Sequence, residues 1–227
     1  APATIALARM GMDKNHIDFT IKTAQKPVRL DVDSEFDLFR MLDYREIPPA
    51  LSQVFGDEKS LIILPRSAQE SLKSGFSSLA KSWQNGNESR VEVVLDSEIE
   101  KLPSDRAVWL FGFGNRFIDS VTEQLAVYDT SISQEVVKIR GNKLGRDKHT
   151  VVAVRNPTNP AKTVALLLAD QVAPLNGLAR KLPHYGKYSY LAFSSDEPTN
   201  VLKGQWQVVA SPLSVVLDRT QLNSVEV

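Results

Sequence analysis

A change of pattern near Ser60 constrains this chain more than any other feature. Before it, Thr4–Val32 (TIALARMGMDKNHIDFTIKTAQKPVRLDV) reads as three short strands with turns between them. After it come apolar runs of strand length: SLIILP, RVEVVLD, RAVWLFG, KTVALLLAD and YSYLAFS. Strands that are apolar throughout belong to a sheet covered on both faces, so the fold class expected is α/β. Three strands are too few to close a β-sandwich. The chain therefore reads as the back end of a larger protein, in which a partial sandwich leads into a complete second domain.

Helical spacing supports this reading. Leu72, Phe76, Leu79, Ala80 and Trp83 form one apolar stripe, predicting a helix over Ala68–Trp83, with Ser67 and Glu70 as a capping box at its start. FIDSVTEQLAVY predicts a second helix, with Phe117, Ile118, Val121 and Leu125 on one side. Residues Gln134–Arg155 read as two strands around a polar turn, a hairpin. APLNGLARKLPHYG is a short helix broken by Pro183 and Gly186, and GQWQVVASPLSVVL reads as one or two edge strands. The expected division is a sandwich remnant over 1–32, a connector over 33–57 stiffened by Pro48 and Pro49, a mixed-sheet α/β domain with helices on both faces over 58–217, and a tail over 218–227. In the connector, Phe36, Leu38, Phe39 and Leu42 are expected to pack onto a flanking domain.

Composition narrows the partners. Lysine plus arginine and aspartate plus glutamate number 27 each, so the strong basic excess that nucleic acid or an anionic membrane demands is missing. There is no cysteine, which removes disulfides, thiol catalysis and thiolate metal sites. That suits the cytoplasm or a bacterial periplasm, and an exported or periplasmic setting is favoured. No apolar run approaches the roughly 20 residues of a membrane-spanning helix.

Motifs that could carry chemistry are few. LDVDSEFD gathers Asp31, Asp33, Glu35 and Asp37, oxygen ligands of the kind calcium takes, but Phe36 and Leu42 occupy the places where an EF-hand loop needs glycine and glutamate. FGFGNRF sets Gly112 and Gly114 between a strand and a helix, where an anion can sit; Phe117 replaces the third glycine of the dinucleotide fingerprint. Asn115 and Arg116 would then lie at the carboxyl edge of the sheet. Arg180, Lys181, His184, Tyr185, Lys187 and Tyr188 form a basic, aromatic group, in which His184 is the best acid–base candidate. His16 and His149 have no partner at ligand spacing. Zincin, nucleophile-elbow and Walker motifs are absent, and Asn87-Glu88-Ser89 matches a glycosylation sequon.

Two stretches resemble a known family. KPVRLDVDSEFDLFRML resembles the last strand of the β-sandwich that follows the catalytic domain in zinc aminopeptidases of the aminopeptidase N (gluzincin) type; Pro27 and Asp33 match its exit, and Ser34 stands where proline is common. RAVWLFGFGN and LARKLPHYGKYSYLAF look like the carboxy-terminal extension that some bacterial peptidase-like proteins carry after that sandwich. The resemblance implies an exported or membrane-associated metallopeptidase-like parent. No zinc ligand or catalytic glutamate is carried over, so it implies a non-catalytic region with neither metal nor cofactor.

Two functions are therefore expected. One is an accessory module partnered by upstream domains of the same polypeptide, or by a second copy through Thr4–Val32. The other is an α/β small-molecule-binding or hydrolytic domain using Asn115, Arg116, His184 and Tyr185, which requires these four to converge on one pocket.

Overall fold

The computed structural model describes residues 5–85 and 90–218. It divides into two compact units, one formed by residues 1–45 with 210–227 and the other by Glu46–Val209.

In the first unit, β1 (Arg29–Asp31) pairs antiparallel with the last strand among the described residues, β12 (Ser214–Val216). The backbone bonds Val32 N–H to Leu213 O (2.8 Å) and Leu217 N–H to Val28 O (2.8 Å) extend this ladder. Of the three strands expected over Thr4–Val32, Thr4 lies outside the described residues, and only Arg29–Asp31 forms a ladder among the rest. Residues 5–28 form no strand with the other described residues, although 16–22 (HIDFTIK) alternates polar and apolar side chains. Phe36, Leu38, Phe39 and Leu42 are exposed rather than packed.

The second unit contains a seven-stranded mixed sheet, in the order β11-β10-β8-β9-β4-β2-β3. The strands are β2 (Ser60–Leu64), β3 (Val91–Leu95), β4 (Ala107–Phe111), β8 (His149–Arg155), β9 (Thr163–Leu168), β10 (Tyr190–Ser194) and β11 (Thr199–Gly204). β3, β2, β4 and β9 run parallel; β8, β10 and β11 join by antiparallel pairing. β2, β4 and β9 are buried along their whole length, as their unbroken apolar runs require.

One face of the sheet packs against α1 (Leu51–Phe55), α2 (Glu70–Gln84) and α4 (Leu175–Lys181). Phe76, Leu79 and Ala80 of α2 meet Ile62, Trp109 and Phe111 there, in a cluster where Trp83 and Trp109 lie 4.9 Å apart. The opposite face is covered by α3 (Thr122–Ala126) and by a small antiparallel sheet of β5 (Thr130–Ile132), β6 (Val136–Ile139) and β7 (Asn142–Gly145). The α/β class, with a mixed sheet between covering layers, is thus what the apolar runs demanded.

Several details differ from the expectation. The compact unit spans 46–209 rather than 58–217, because Leu51 and Val54 of α1 are buried in its core while Ser214–Val216 pairs with β1. α2 begins at Glu70 with no side-chain cap: Ser67 Oγ is engaged with Gly114 O instead. The second helix shrinks to α3 preceded by a 3-10 turn at Asp119–Val121, with Val121 (φ −111°) out of helical geometry. Residues 134–155 yield three strands rather than two. β6 and β7 form the hairpin, through a turn in which Arg140 (φ 47°) and Gly141 (φ 80°) are both left-handed as a primed turn needs, and β8 departs to the large sheet. The segment from residue 204 to 217, expected to give one or two edge strands, supplies one, Ser214–Val216, in the two-stranded sheet, while the edge of the large sheet lies just ahead of it at Thr199–Gly204.

Candidate functional site

The chain leaves β2 for β3 on one side of it and, after β4, adds β8 and then β9 on the other. The carboxyl ends of β2 and β4 therefore flank a topological switch point, the place where open α/β sheets bind ligands. Here that crevice is filled by the protein's own polar groups. Asn115, 4% exposed, donates from Nδ2 to Ile63 O (2.9 Å), and its Oδ1 accepts from Phe117 N–H (3.2 Å). Asp96, equally buried, accepts from Arg66 N–H at Oδ1 (3.0 Å) and from Arg116 N–H at Oδ2 (3.1 Å). The two side chains bind the exits of β2, β3 and β4 together.

The glycines serve the same turn. Gly112 has φ +76°, and a Cβ there would lie 2.9 Å from Pro65 Cγ and 3.0 Å from Phe76 Cε2, so only glycine fits. A Cβ on Gly114 would meet Ser67 Oγ at 2.5 Å. The backbone N–H groups that would face an anion are engaged: those of Arg66 and Arg116 by the Asp96 carboxylate, and that of Phe117 by Asn115. The side chain of Arg116 is exposed, donates to Ile99 O and lies 4.7 Å from the Phe117 ring centroid. Nearby, Arg146 binds Asp170 and Gln134 O while stacking 4.3 Å from the Phe113 centroid.

The four residues expected to share a pocket occupy opposite edges of the sheet. Asn115 and Arg116 follow the carboxyl end of β4. His184 and Tyr185 lie in a 3-10 turn, Leu182–Tyr185, beyond α4, which runs back across the sheet to the amino edge. There Ser52 N–H bonds to Gly186 O (2.7 Å) and Leu51 N–H to Tyr188 O (3.0 Å), both from the helix that precedes β2. The Tyr185 ring packs against Phe193 (5.5 Å, edge-on) and Tyr188, and Lys187 and Lys203 approach Tyr188. The amino edge also holds an open depression of 520 Å³ lined by Ser52, Gln53, Asp57, Lys162 and Thr163. Its polar groups pair with one another: Lys162 Nζ with Asp57 (2.8 Å) and Thr163 Oγ1 with Gln53 Oε1 (2.6 Å).

Two of the four carboxylates at 31–37 are also taken up internally, while Glu35 and Asp37 are exposed. Asp33 accepts from Leu38 N–H (3.0 Å) and Arg40 Nε (2.8 Å), which hold its carboxyl below the ordinary range, and Asp31 is bound by Arg29 and Ser214. Among the described residues there is no group of three or more side chains able to hold a metal ion. The glycosylation sequon at 87–89 lies outside the described residues.

His149, which spacing alone made uninteresting, is the most unusual group. It opens β8 opposite Phe193 and is fully buried; neither ring nitrogen makes a hydrogen bond of good geometry, though the Ser195 backbone acts on the ring, and the adjacent buried Thr150 Oγ1 has no partner. Burial lowers its pKa, against the opposing pull of the Ser195 backbone and the carboxylates of Asp147 and Asp196. A single histidine in a polar loop-to-strand passage gives no sequence signal of this.

No model of a known protein family matches the chain, and no curated protein matches it. Among the described residues no helix is long and apolar enough to cross a membrane.

Proposed function

We propose that this chain is a non-catalytic accessory module of a larger peptidase-like protein, and that it works by packing against another protein segment through residues 5–42. The observation that carries this reading is the unpaired alternation in that stretch. Ile17, Phe19 and Ile21 are 37%, 43% and 38% exposed, with polar residues between them, and Phe39 and Met41 are fully exposed. Alternation specifies a strand with one face for a core, and an apolar face of this length exposed to water marks an interaction surface. The switch-point crevice, by contrast, is occupied by Asn115 and Asp96, whose hydrogen bonds run to the main chain.

The partner that fits is a β-sheet with a free edge and an apolar face, supplied by upstream domains of the same polypeptide or by a second copy. Balanced charge speaks against nucleic acid. The test is cross-linking with mass spectrometry on native material from the source, using Lys14, Lys22 and Lys26 as handles. Cross-links from these lysines to another protein region, with slowed amide exchange over 5–32, are expected. Amides that exchange as fast in the native material as in this chain alone, without such cross-links, would overturn the proposal.

A further inference from the structure

The large sheet has two edges, and they differ. β11 is blunted by familiar means: Pro198 before it, Lys203 within it, and a register shift in its pairing with β10 between Ala192 and Phe193. β3, with sequence VEVVL, has no proline, no bulge and one charge, Glu92, which is paired with Arg106 at 2.9 Å. A strand of this composition at an edge invites pairing with another chain.

The hydrogen bonds show how that is prevented. The β2–β3 ladder begins with Ser60 N–H to Arg90 O (2.9 Å) and ends with Asp96 N–H to Leu64 O (2.8 Å), in a register that sets Ser60 beside Val91 and Leu64 beside Leu95. Residues 90, 92, 94 and 96 therefore turn their backbone groups toward β2, and Val91, Val93 and Leu95 turn theirs outward. Two of these three are taken by side chains or turns of the same unit. Gln84 Nε2 donates to Val91 O (2.8 Å) from the last turn of α2. Glu98 occupies both groups of Leu95: its Oε2 accepts from Leu95 N–H (2.8 Å) and its own N–H donates to Leu95 O (3.0 Å). Among the described residues, the central Val93 keeps both outward groups open and Val91 its N–H.

We propose that Gln84 and Glu98 are edge caps that keep β3 from pairing with a strand of another molecule, above all with β3 of a second copy. An incoming strand needs consecutive outward groups to form a ladder. With Val91 O and both groups of Leu95 taken, Val93 is the one residue among the three that offers a donor and an acceptor together. The inference is independent of the proposed packing through residues 5–42, which concerns the other unit.

The test is the double variant Gln84→Ala/Glu98→Ala, which frees Val91 O and Leu95 N–H while the main-chain bond to Leu95 O stays, studied by light scattering and by amide exchange at Val93. The expected result is a concentration-dependent rise of mass toward twice that of the parent species, with Val93 exchange slowed about tenfold or more as its amide enters a ladder. Glu98→Gln keeps an acceptor for Leu95 N–H and should behave as the parent. Adding Val93→Pro, which removes an outward donor without removing a bond to β2, should return the mass to the parent value. If the double variant fails to fold, Glu98→Ala alone is read in the same way. A folded variant with unchanged mass and unchanged Val93 exchange, or association that survives Val93→Pro, overturns the proposal.

Discussion

The pH dependence of stability should bear the mark of His149. In the folded chain its imidazole is buried, its pKa is lowered by desolvation, and neither nitrogen makes a hydrogen bond of good geometry. In the unfolded chain it titrates near the ordinary histidine value of about 6.5. The unfolded state thus binds a proton that the folded state refuses. The associated stability is fully present above that value and is lost as pH falls toward the lowered folded-state pKa. One proton corresponds to a slope of at most about 1.4 kcal/mol per pH unit. The groups beside it are Asp147, Lys148, Ser195 and Asp196, whereas α4, on the face shared with Val151 and Phe193, turns Leu175, Leu178 and Ala179 inward. His149→Leu removes the titrating group together with a buried imidazole that lacks a well-formed hydrogen bond, a group costing about 1–3 kcal/mol while unsatisfied. At pH 7.5 the variant should therefore unfold at higher denaturant. The measurement is urea unfolding of parent and variant from pH 7.5 to 5. The gap between them should widen as pH falls, since carboxylate titrations common to both cancel. A gap that stays constant across this range would refute the reasoning.

Other substitutions test the switch point. Asn115→Ala leaves Phe117 N–H without its buried acceptor and removes the donor to Ile63 O, and should cost about 1–3 kcal/mol in chemical denaturation. Gly112→Ala forces a Cβ against Pro65 and Phe76 at φ +76° and should cost about 2–4 kcal/mol by the same assay.

The parts of the fold that were legible in sequence are those whose burial is one-sided or total. β2, β4 and β9 announce themselves because both faces of each strand are covered, so every residue after the opening Ser60 of β2 and Thr163 of β9 is apolar. α2 does so through the stripe that meets the sheet. β11 escaped notice because an edge strand is only half-buried even on its inner residues, so it tolerates Thr199 and Lys203 on its exposed positions and Asn200 between them. The candidate site was legible only locally. That Asn115 and Arg116 follow a strand was readable from the glycine turn; that His184 and Tyr185 lie at the opposite edge follows from the direction of α4, which no motif encodes. Asp96 was invisible as a clamp because its partners, the N–H groups of Arg66 and Arg116, are 30 and 20 residues away.

Magnitudes also decide which residues of the first unit should matter for packing. Fully burying a large apolar side chain contributes about 1.5–3 kcal/mol. Ile17, Phe19 and Ile21 are already more than half covered, at 37–43% exposure, so each can gain only the remaining fraction, about 1 kcal/mol. Phe39 and Met41, fully exposed, can each gain the whole amount. A micromolar complex needs about 8 kcal/mol after several more are lost to restricted motion, so the three alternating residues cannot sustain one alone. It follows that Phe39→Ser with Met41→Ser should weaken association more than Ile17→Thr, Phe19→Thr and Ile21→Thr together, although the latter carry the clearer strand pattern. Sedimentation equilibrium of the two variants in the same buffer orders them. If the triple variant is the weaker associator, the packing is governed by strand pairing over 17–21 rather than by apolar area at 39–41.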